Sequence, residues 1–168
     1  MKEQVCCFTG HRDIRMPIGE VRRRLSAILD YLISRGVIYY GCGGALGFDT
    51  QAALEVIEKR KRNPRVKLIL VLPCKDQDKK WRAEDQATYS FLKTQADKTV
   101  YISETYTSTC MHERTRHLVN ESRYCIAFLQ KQSGGTAYTF NYARERGLII
   151  YNLADTNYME HIQFDTHP

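Results

Sequence analysis

The sequence predicts an α/β fold built on a doubly wound, mostly parallel sheet with helices on both faces. Short apolar runs of strand length alternate with segments whose apolar residues recur at helical spacing. Glycine-rich turns follow two of the apolar runs, at 41–47 and 133–136, and lead directly into helices. Alternation of this kind calls for parallel strands joined by right-handed helical crossovers.

The N-terminal half predicts three strands and two helices. Pro17 suits the start of the first helix, and Gly36 ends it. Asn63 is disfavoured in helical backbone because Pro64 follows it, so the second helix ends there. An apolar run with one lysine, which Pro73 closes, has the character of a strand buried on both faces of a parallel sheet. The expected elements are strand 5–9, helix 18–35, strand 37–40, helix 46–62 and strand 66–72.

The C-terminal half continues the alternation. A polar loop rich in lysine and aspartate leads into a helix that begins at the single tryptophan, Trp81. Gly147 caps the last helix, ahead of a short apolar run that makes the final strand. The expected elements are helix 81–96, strand 99–102, helix 110–122, strand 124–129, helix 136–146 and strand 148–153.

The chain is expected to form a single domain over 1–153, followed by a C-terminal tail over 154–168. Its 168 residues match the usual size of one domain with one substantial core. The sequence has neither a signal peptide pattern nor an apolar run of membrane-spanning length, so we expect a cytoplasmic protein with no membrane partner. The oligomeric state is open, and a homo-oligomer is one alternative.

The pattern of reactive residues excludes several classes of site. Six cysteines are scattered without a CxxC pair or regular Cys/His ligand spacing, so buried, reduced thiols are expected. The sequence contains no HExxH helix, GxSxG elbow or GK[ST] ending. It therefore predicts no metal centre, no cofactor and no recognised nucleophile constellation.

The chain is basic, with a formal charge of +6 and a pI near 9.0. Much of that charge is expected on helices: Arg22-Arg23-Arg24 falls mostly on a solvated face, and the basic run 59–62 suits a helix C-terminus. This placement favours solvated helix faces over a nucleic-acid-binding stripe. The excess of positive charge nevertheless favours anionic partners.

Polar or glycine-bearing loops are expected at the carboxyl ends of the strands, where doubly wound sheets bind their ligands. Among them are Gly10-His11-Arg12, the turn at Gly43-Gly44, and Ser133-Gly134-Gly135. The opposite ends of the strands carry ordinary helix stops. Because the first amides of a helix have no internal partner, the two glycine turns together could hold one anionic ligand.

Arg114 is predicted to point inward from the start of its helix. It shares a helix face with Met111 and Leu118, at spacing i, i+3 and i+7, and Leu118 marks that face as inward. An inward arginine must be neutralised, and either a bound phosphate or a carboxylate could do so. A structural salt bridge is the alternative to a ligand. Arg116 falls on the polar face and is assigned no role.

Two further residues have a functional and a structural interpretation each. Asp49 follows the first glycine turn, where it could accept hydrogen bonds from ribose hydroxyls or orient a water. The structural alternative is an acidic residue that the helix dipole favours in the first turn. Trp81 is expected at the same rim of the sheet, where it could stack on a base, although core packing is the more common fate of such a residue.

Two short motifs resemble known families. Gly43-Gly44-Ala45-Leu46-Gly47-Phe48-Asp49 resembles the GGxxGxD turn of the DNA-processing (SMF/DprA) proteins. Met111-His112-Glu113-Arg114 resembles the M-H-x-R of the LOG-type phosphoribohydrolases. Together these families form the SLOG superfamily of Rossmann-like nucleotide-binding domains. The overall resemblance, to about residue 153, is closest to its small YpsA-like members, with Thr9-Gly10-His11-Arg12 near the start and Gly134-Gly135-Thr136-Ala137-Tyr138-Thr139 near the end.

The resemblance implies a nucleotide pocket with phosphate at the second glycine turn and Arg114 beside it. The sequence departs from the LOG loop, PGGxGTxxE, because it lacks the proline and two loop residues and places Thr139 where the catalytic glutamate stands. Asp49, Glu113 or Glu145 could compensate, and spacing does not select one of them. The residues predicted to bind the nucleotide are Gly10, His11, Arg12, Gly43, Gly44, Gly47, Asp49, Trp81, Arg114, Ser133, Gly134, Gly135, Thr136 and Thr139; Asp49 and Arg114 are also the candidates for catalysis.

Three functions follow as hypotheses. The first is a Rossmann-like domain that senses or carries a nucleotide or nucleotide-derived ligand, such as an ADP-ribose derivative. The second is a LOG-like hydrolase that cleaves the N-glycosidic bond of a nucleoside monophosphate. The third is a single-stranded nucleic-acid-binding protein, whose affinity would fall steeply with salt.

Overall fold

A computed structural model describes residues 1–158. After a short 3₁₀ turn at Lys2–Gln4, this part of the chain forms six strands and five α-helices in alternation. The elements are β1 (Val5–Gly10), α1 (Ile18–Ser34), β2 (Tyr39–Cys42), α2 (Phe48–Arg62), β3 (Lys67–Cys74), α3 (Ala83–Gln95), β4 (Lys98–Ser103), α4 (Cys110–Asn120), β5 (Tyr124–Phe128), α5 (Gly135–Glu145) and β6 (Ile149–Asn152).

The six strands form one sheet in the order β4-β3-β2-β1-β5-β6, and every pair is parallel. Helices α1, α2 and α3 pack together on one face, while α4 and α5 pack on the other. The predicted doubly wound α/β sheet is therefore confirmed. The strand order reverses between β1 and β5, and ligands of such sheets bind at this switch point, outside the carboxyl ends of the strands.

The larger hydrophobic core lies between the sheet and helices α1 to α3. Leu25, Ile28, Leu29 and Leu32 of α1 are fully buried there, at the helical spacing that the sequence shows. A smaller cluster lies beneath α4 and α5. All six cysteines are buried and unpaired. Because the two clusters lie on opposite sides of the sheet, both faces of the central strands are covered, as in other all-parallel sheets.

Two strand boundaries differ from the prediction. The second strand lies at Tyr39–Cys42 rather than 37–40, because Val37 is held at the end of α1, where its amide donates to the Leu32 carbonyl at 3.0 Å. Pro73 does not close the third strand, which continues to Cys74. Pairing with β2 ends at Leu70, so beyond that point β3 has only β4 beside it, and an edge position tolerates a proline.

The expected tail, 154–168, is described only as far as residue 158; the rest lies outside the described residues. Within the described part, Tyr158 is 7% exposed and packs with the larger core, and the Arg24 guanidinium lies 5.0 Å from its ring centroid. Over residues 1–158 no helix combines the length and the apolar character needed to cross a membrane.

Candidate functional site

A cavity of about 360 Å³ opens at the carboxyl ends of β1, β2 and β5, at the switch point of the sheet. It is bounded by the loop after β1, the first glycine turn, the start of α4 and the second glycine turn. The lining residues are Phe8, Thr9, Gly10, His11, Arg12, Gly43, Ala45, Leu46, Asp49, Met111, His112, Arg114, Thr115, Leu118, Ser133, Gly134, Gly135, Thr136, Tyr138 and Thr139.

The second glycine turn brings the start of α5 to this cavity. Gly134 occupies the N-cap position with φ 88°, a conformation that favours glycine, and no side chain from the described part of the chain caps this end of the helix. The first amides of α5 are thus left to a ligand or to solvent, and they carry the positive end of the helix dipole. Thr139 accompanies them, donating to the Gly135 carbonyl at 3.0 Å and lying 3.2 Å from the Thr115 hydroxyl. The arrangement suits an anion.

Arg114 lies in the cavity wall and is only 9% exposed, so its predicted inward orientation is confirmed. Its Nη1 donates to the Gly43 carbonyl at 2.7 Å. A side chain at Gly43 would displace the guanidinium, because a Cβ there would lie 2.4 Å from Nη1. Within residues 1–158 the structure records no ion pair for Arg114. The alternative of a structural salt bridge is therefore not what the described residues show.

Asp49 is the one carboxylate among the described residues that line the cavity. It is 5% exposed, and its Oδ2 accepts a hydrogen bond from the Ala45 amide at 3.2 Å. The other oxygen, Oδ1, is buried and accepts no hydrogen bond from the described residues. Burial raises the pKa of Asp49 to about 6, although the nearby Arg114 charge and the Ala45 amide oppose the rise. The other two candidate acids, Glu113 and Glu145, are exposed and do not line the cavity.

The first glycine turn differs from the second, because one of its backbone amides, that of Ala45, already donates to the Asp49 carboxylate. In addition, Thr50 Oγ1 donates to the Ala45 carbonyl at 3.0 Å. Gly44 and Gly47 shape this turn, with φ of 69° and 81°, and neither lines the cavity. A Cβ at Gly47 would lie 2.3 Å from the Arg12 carbonyl oxygen. The first turn is thus held by hydrogen bonds to its own Asp49 and Thr50. The second turn leaves the first amides of α5 for an anion.

His11 and Arg12 both line the cavity, with different surroundings. His11 Nε2 accepts hydrogen bonds from the amides of Gln130 and Lys131, at 2.8 and 3.0 Å, so it joins the loops that follow β1 and β5. Partial burial and the Lys131 charge lower the pKa of His11, which suits a neutral acceptor. The Arg12 side chain is exposed at the rim of the cavity.

Trp81 does not line the cavity. Its ring meets Tyr89 edge to face at a centroid distance of 5.0 Å, and it packs against the larger core. The cavity wall does contain a contacting aromatic pair, His112 and Tyr138, whose ring centroids lie 4.1 Å apart. Neither ring was singled out from the sequence, although one lies two residues before Arg114 and the other is in the first turn of α5.

Over residues 1–158 no three His, Cys, Asp or Glu side chains converge in a way that could hold a metal ion. The described cavity wall carries two arginines, Arg12 and Arg114, together with the first amides of α5, against one carboxylate, that of Asp49. The arrangement can hold an anionic group, present a carboxylate to a hydrogen-bond donor and offer an aromatic surface to a planar group.

Comparison with known proteins identifies the family of the chain. The YpsA family model, described as the YspA SLOG family, matches residues 6–165. The SPbeta prophage-derived protein YoqJ of Bacillus subtilis (strain 168) is 27% identical over 139 residues, which are 75% of this chain and 81% of that protein.

Two solved structures share the fold. DNA processing protein A (DprA) from Streptococcus pneumoniae has a TM-score of 0.63 at 16% identity, over 95% of this chain and 56% of that one, so this chain spans little more than half of that neighbour. DNA processing protein A from Helicobacter pylori, described with a single-stranded DNA binding mode, has a TM-score of 0.56 at 17% identity, over 99% and 83% of the two chains. At such identities the likeness concerns the fold alone.

Proposed function

The chain belongs to the YspA SLOG family, as its motifs indicated, and from that premise we propose that it senses or carries a nucleotide or nucleotide-derived ligand in the cavity at the switch point. The ligand's phosphate lies at the start of α5, beside Arg114. An ADP-ribose derivative is one example of such a ligand. The proposal includes a cytoplasmic location, where nucleotides are abundant.

The observation that supports this most is the position of Arg114. A buried guanidinium has several N–H donors to satisfy, and among residues 1–158 the one hydrogen bond recorded for it goes to the Gly43 carbonyl. It faces the same cavity as the uncapped start of α5. Two independent sources of positive potential in the wall of one cavity, one from a side chain and one from a helix end, favour a phosphate over a neutral ligand.

The size and the walls of the cavity support a nucleotide rather than free phosphate. About 360 Å³ lies within the usual range for small-molecule sites. His112 and Tyr138, which meet edge to face, form an aromatic surface in the cavity wall against which a base can pack. Phosphate donors and an aromatic surface in one cavity are the two features that nucleotide recognition needs.

Hydrolysis of an N-glycosidic bond is the second candidate, and Asp49 is the observation that favours it. Thr139, which stands in the place of the LOG glutamate, has no acidic group, so Asp49 is the carboxylate left in the described cavity wall. An ionised Asp49 could stabilise the positive charge that develops on the sugar, or orient the attacking water. This candidate predicts release of free base from a nucleoside monophosphate, abolished by Asp49→Asn.

The experiment is a thermal-shift screen of the purified protein against nucleoside monophosphates, ADP-ribose, NAD and cyclic nucleotides, with the parent nucleosides as controls. Ligand at a hundred times its dissociation constant adds about 2.7 kcal/mol of stability, which raises the melting temperature visibly. A shift with a phosphorylated compound and none with its nucleoside supports the proposal.

Absence of any shift contradicts it. Binding to oligonucleotides instead, with affinity that falls steeply between low and moderate salt, would replace it with single-stranded nucleic-acid binding, the property described for the Helicobacter pylori neighbour.

A further inference from the structure

We infer that Asp49 accepts a hydrogen bond from the 2-hydroxyl of the ligand's ribose, so that ribose phosphates bind in preference to their 2-deoxy counterparts. This inference rests on the proposed function, because it concerns the same cavity. It goes further in naming the chemical group, apart from the phosphate, that the ligand must carry.

The Asp49 carboxylate has a hydrogen-bond capacity that the described chain does not use. Its Oδ2 accepts from the Ala45 amide at 3.2 Å, and its Oδ1 is buried without a donor among the described residues. A buried acceptor left unsatisfied destabilises the folded protein, and more so when it is charged. A carboxylate has about four lone-pair sites and the Ala45 amide uses one of them, so Asp49 keeps acceptor capacity for a donor in the cavity whose wall it lines.

Because Asp49 lies in the cavity wall, a ligand in the cavity can supply the missing donor. Arg114 lowers the pKa of Asp49 through its charge but is bonded to the Gly43 carbonyl and forms no recorded ion pair with the carboxylate. A second cation in the ligand is disfavoured, since Arg12 and Arg114 already line the same cavity. A neutral donor remains, and a hydroxyl attached to a phosphorylated sugar is the kind that a nucleotide supplies.

The sheet topology separates the Asp49 carboxylate from the anion site by a distance that a sugar phosphate can span. Asp49 is in the first turn of α2, after β2, whereas the anion site is at the start of α5, after β5. Strand β1 lies between β2 and β5. Neighbouring strands are ~4.8 Å apart, so the two turns are separated by about 10 Å. A sugar phosphate spans this gap with a hydrogen bond at each end, which a free phosphate cannot do.

Isothermal titration calorimetry with ribose 5-phosphate and 2-deoxyribose 5-phosphate tests the inference without reference to the base. The wild-type chain should bind the ribose compound roughly ten-fold or more tightly, as expected for a hydrogen bond to a charged acceptor. Asp49→Ala should reduce that ratio to near one. Asp49→Asn, which keeps the shape and an acceptor for Ala45, should leave only a ratio of a few-fold. Glu145→Gln removes an exposed charge from α5 and should leave the ratio unchanged.

Equal binding of the two sugar phosphates by the wild-type chain would overturn the inference and leave the proposed function standing. A ten-fold preference that persists in Asp49→Ala would also overturn it, because the hydroxyl would then be recognised by another group. Failure of both compounds to bind would contradict the inference and the proposed phosphate site together.

Discussion

Arg114 Nη1 donates a 2.7 Å hydrogen bond to the carbonyl oxygen of Gly43, and this contact joins the start of α4 to the turn after β2. The two residues are 71 positions apart in the chain. Because the glycine has no side chain, the guanidinium can lie directly against its backbone. The contact holds Arg114 in the wall of the cavity.

Replacement of Arg114 by alanine should weaken nucleoside monophosphate binding by about 1.5–3 kcal/mol, the usual contribution of a hydrogen bond to a charged group. Arg114→Lys should lie between wild type and alanine, since it keeps the charge and loses the planar fork. Arg116→Ala is the matched control, because this arginine is on the same helix and exposed. Calorimetric titration measures all three. Equal losses in the 114 and 116 alanine variants would show that only general charge matters.

Gly43→Ala should impair binding without removing any functional group. The new Cβ would lie 2.4 Å from Arg114 Nη1 and 2.8 Å from its Cζ, so the guanidinium must shift. Overpacking of this kind costs typically 1–3 kcal/mol of stability. Gly19→Ala, in α1 with no heavy atom within 4 Å, is the control. Denaturant unfolding and monophosphate titration should both distinguish the two variants; wild-type affinity in Gly43→Ala would contradict the assigned position of Arg114.

Asp49→Asn should stabilise the folded protein at neutral pH. Burial raises the pKa of Asp49 from 3.8 to about 6, so the protonated carboxyl is favoured in the folded state. That favourable contribution is complete below about pH 4 and is lost as pH rises through 6. The loss corresponds to roughly 3 kcal/mol.

The measurement is the free energy of unfolding of wild type and Asp49→Asn between pH 4 and pH 8. The variant should be more stable by about 2–3 kcal/mol at pH 7.5, and the difference should shrink toward pH 4. Asp13→Asn removes an exposed carboxylate and should change stability by less than about 1 kcal/mol. A variant less stable than wild type at pH 7.5 would mean that Asp49 is satisfied in the folded state.

Tyr138→Leu should separate recognition of the base from recognition of the sugar phosphate. Stacking of a base on an aromatic ring is worth about 1–3 kcal/mol, so this variant should lose that much affinity for a nucleoside monophosphate and little for ribose 5-phosphate. Tyr138→Phe keeps the ring and should bind both compounds like wild type. Parallel loss of both ligands in Tyr138→Leu would indicate a change in the phosphate site instead.

Periodicity and turn residues were sufficient to predict the order of the elements and the class of the sheet. They also predicted that Arg114 points inward, because the i, i+3 and i+7 spacing fixes a helix face irrespective of what packs against it. The family followed from short motifs at the two glycine turns and in α4. These features depend on local sequence.

Features that depend on contacts between distant segments could not be predicted. The tolerance of Pro73 within β3 depends on where β2 stops pairing. The acceptor role of His11 depends on amides 119 and 120 residues away. Trp81 was expected at the rim from its position after a strand, yet Tyr89 holds it against the core. The pairing of His112 with Tyr138 requires α4 and α5 to be neighbours, which only the sheet order establishes.

The central claim is that the start of α5 and Arg114 hold a phosphate. The most direct test is calorimetric titration of the wild-type chain with each nucleoside and its 5′-monophosphate, for the adenine, guanine, cytosine and uracil pairs. The account predicts that for at least one base the monophosphate binds ten-fold or more tightly than the nucleoside, and that Arg114→Ala removes most of this difference. Equal affinity within every pair, or a monophosphate preference unchanged in Arg114→Ala, would contradict it.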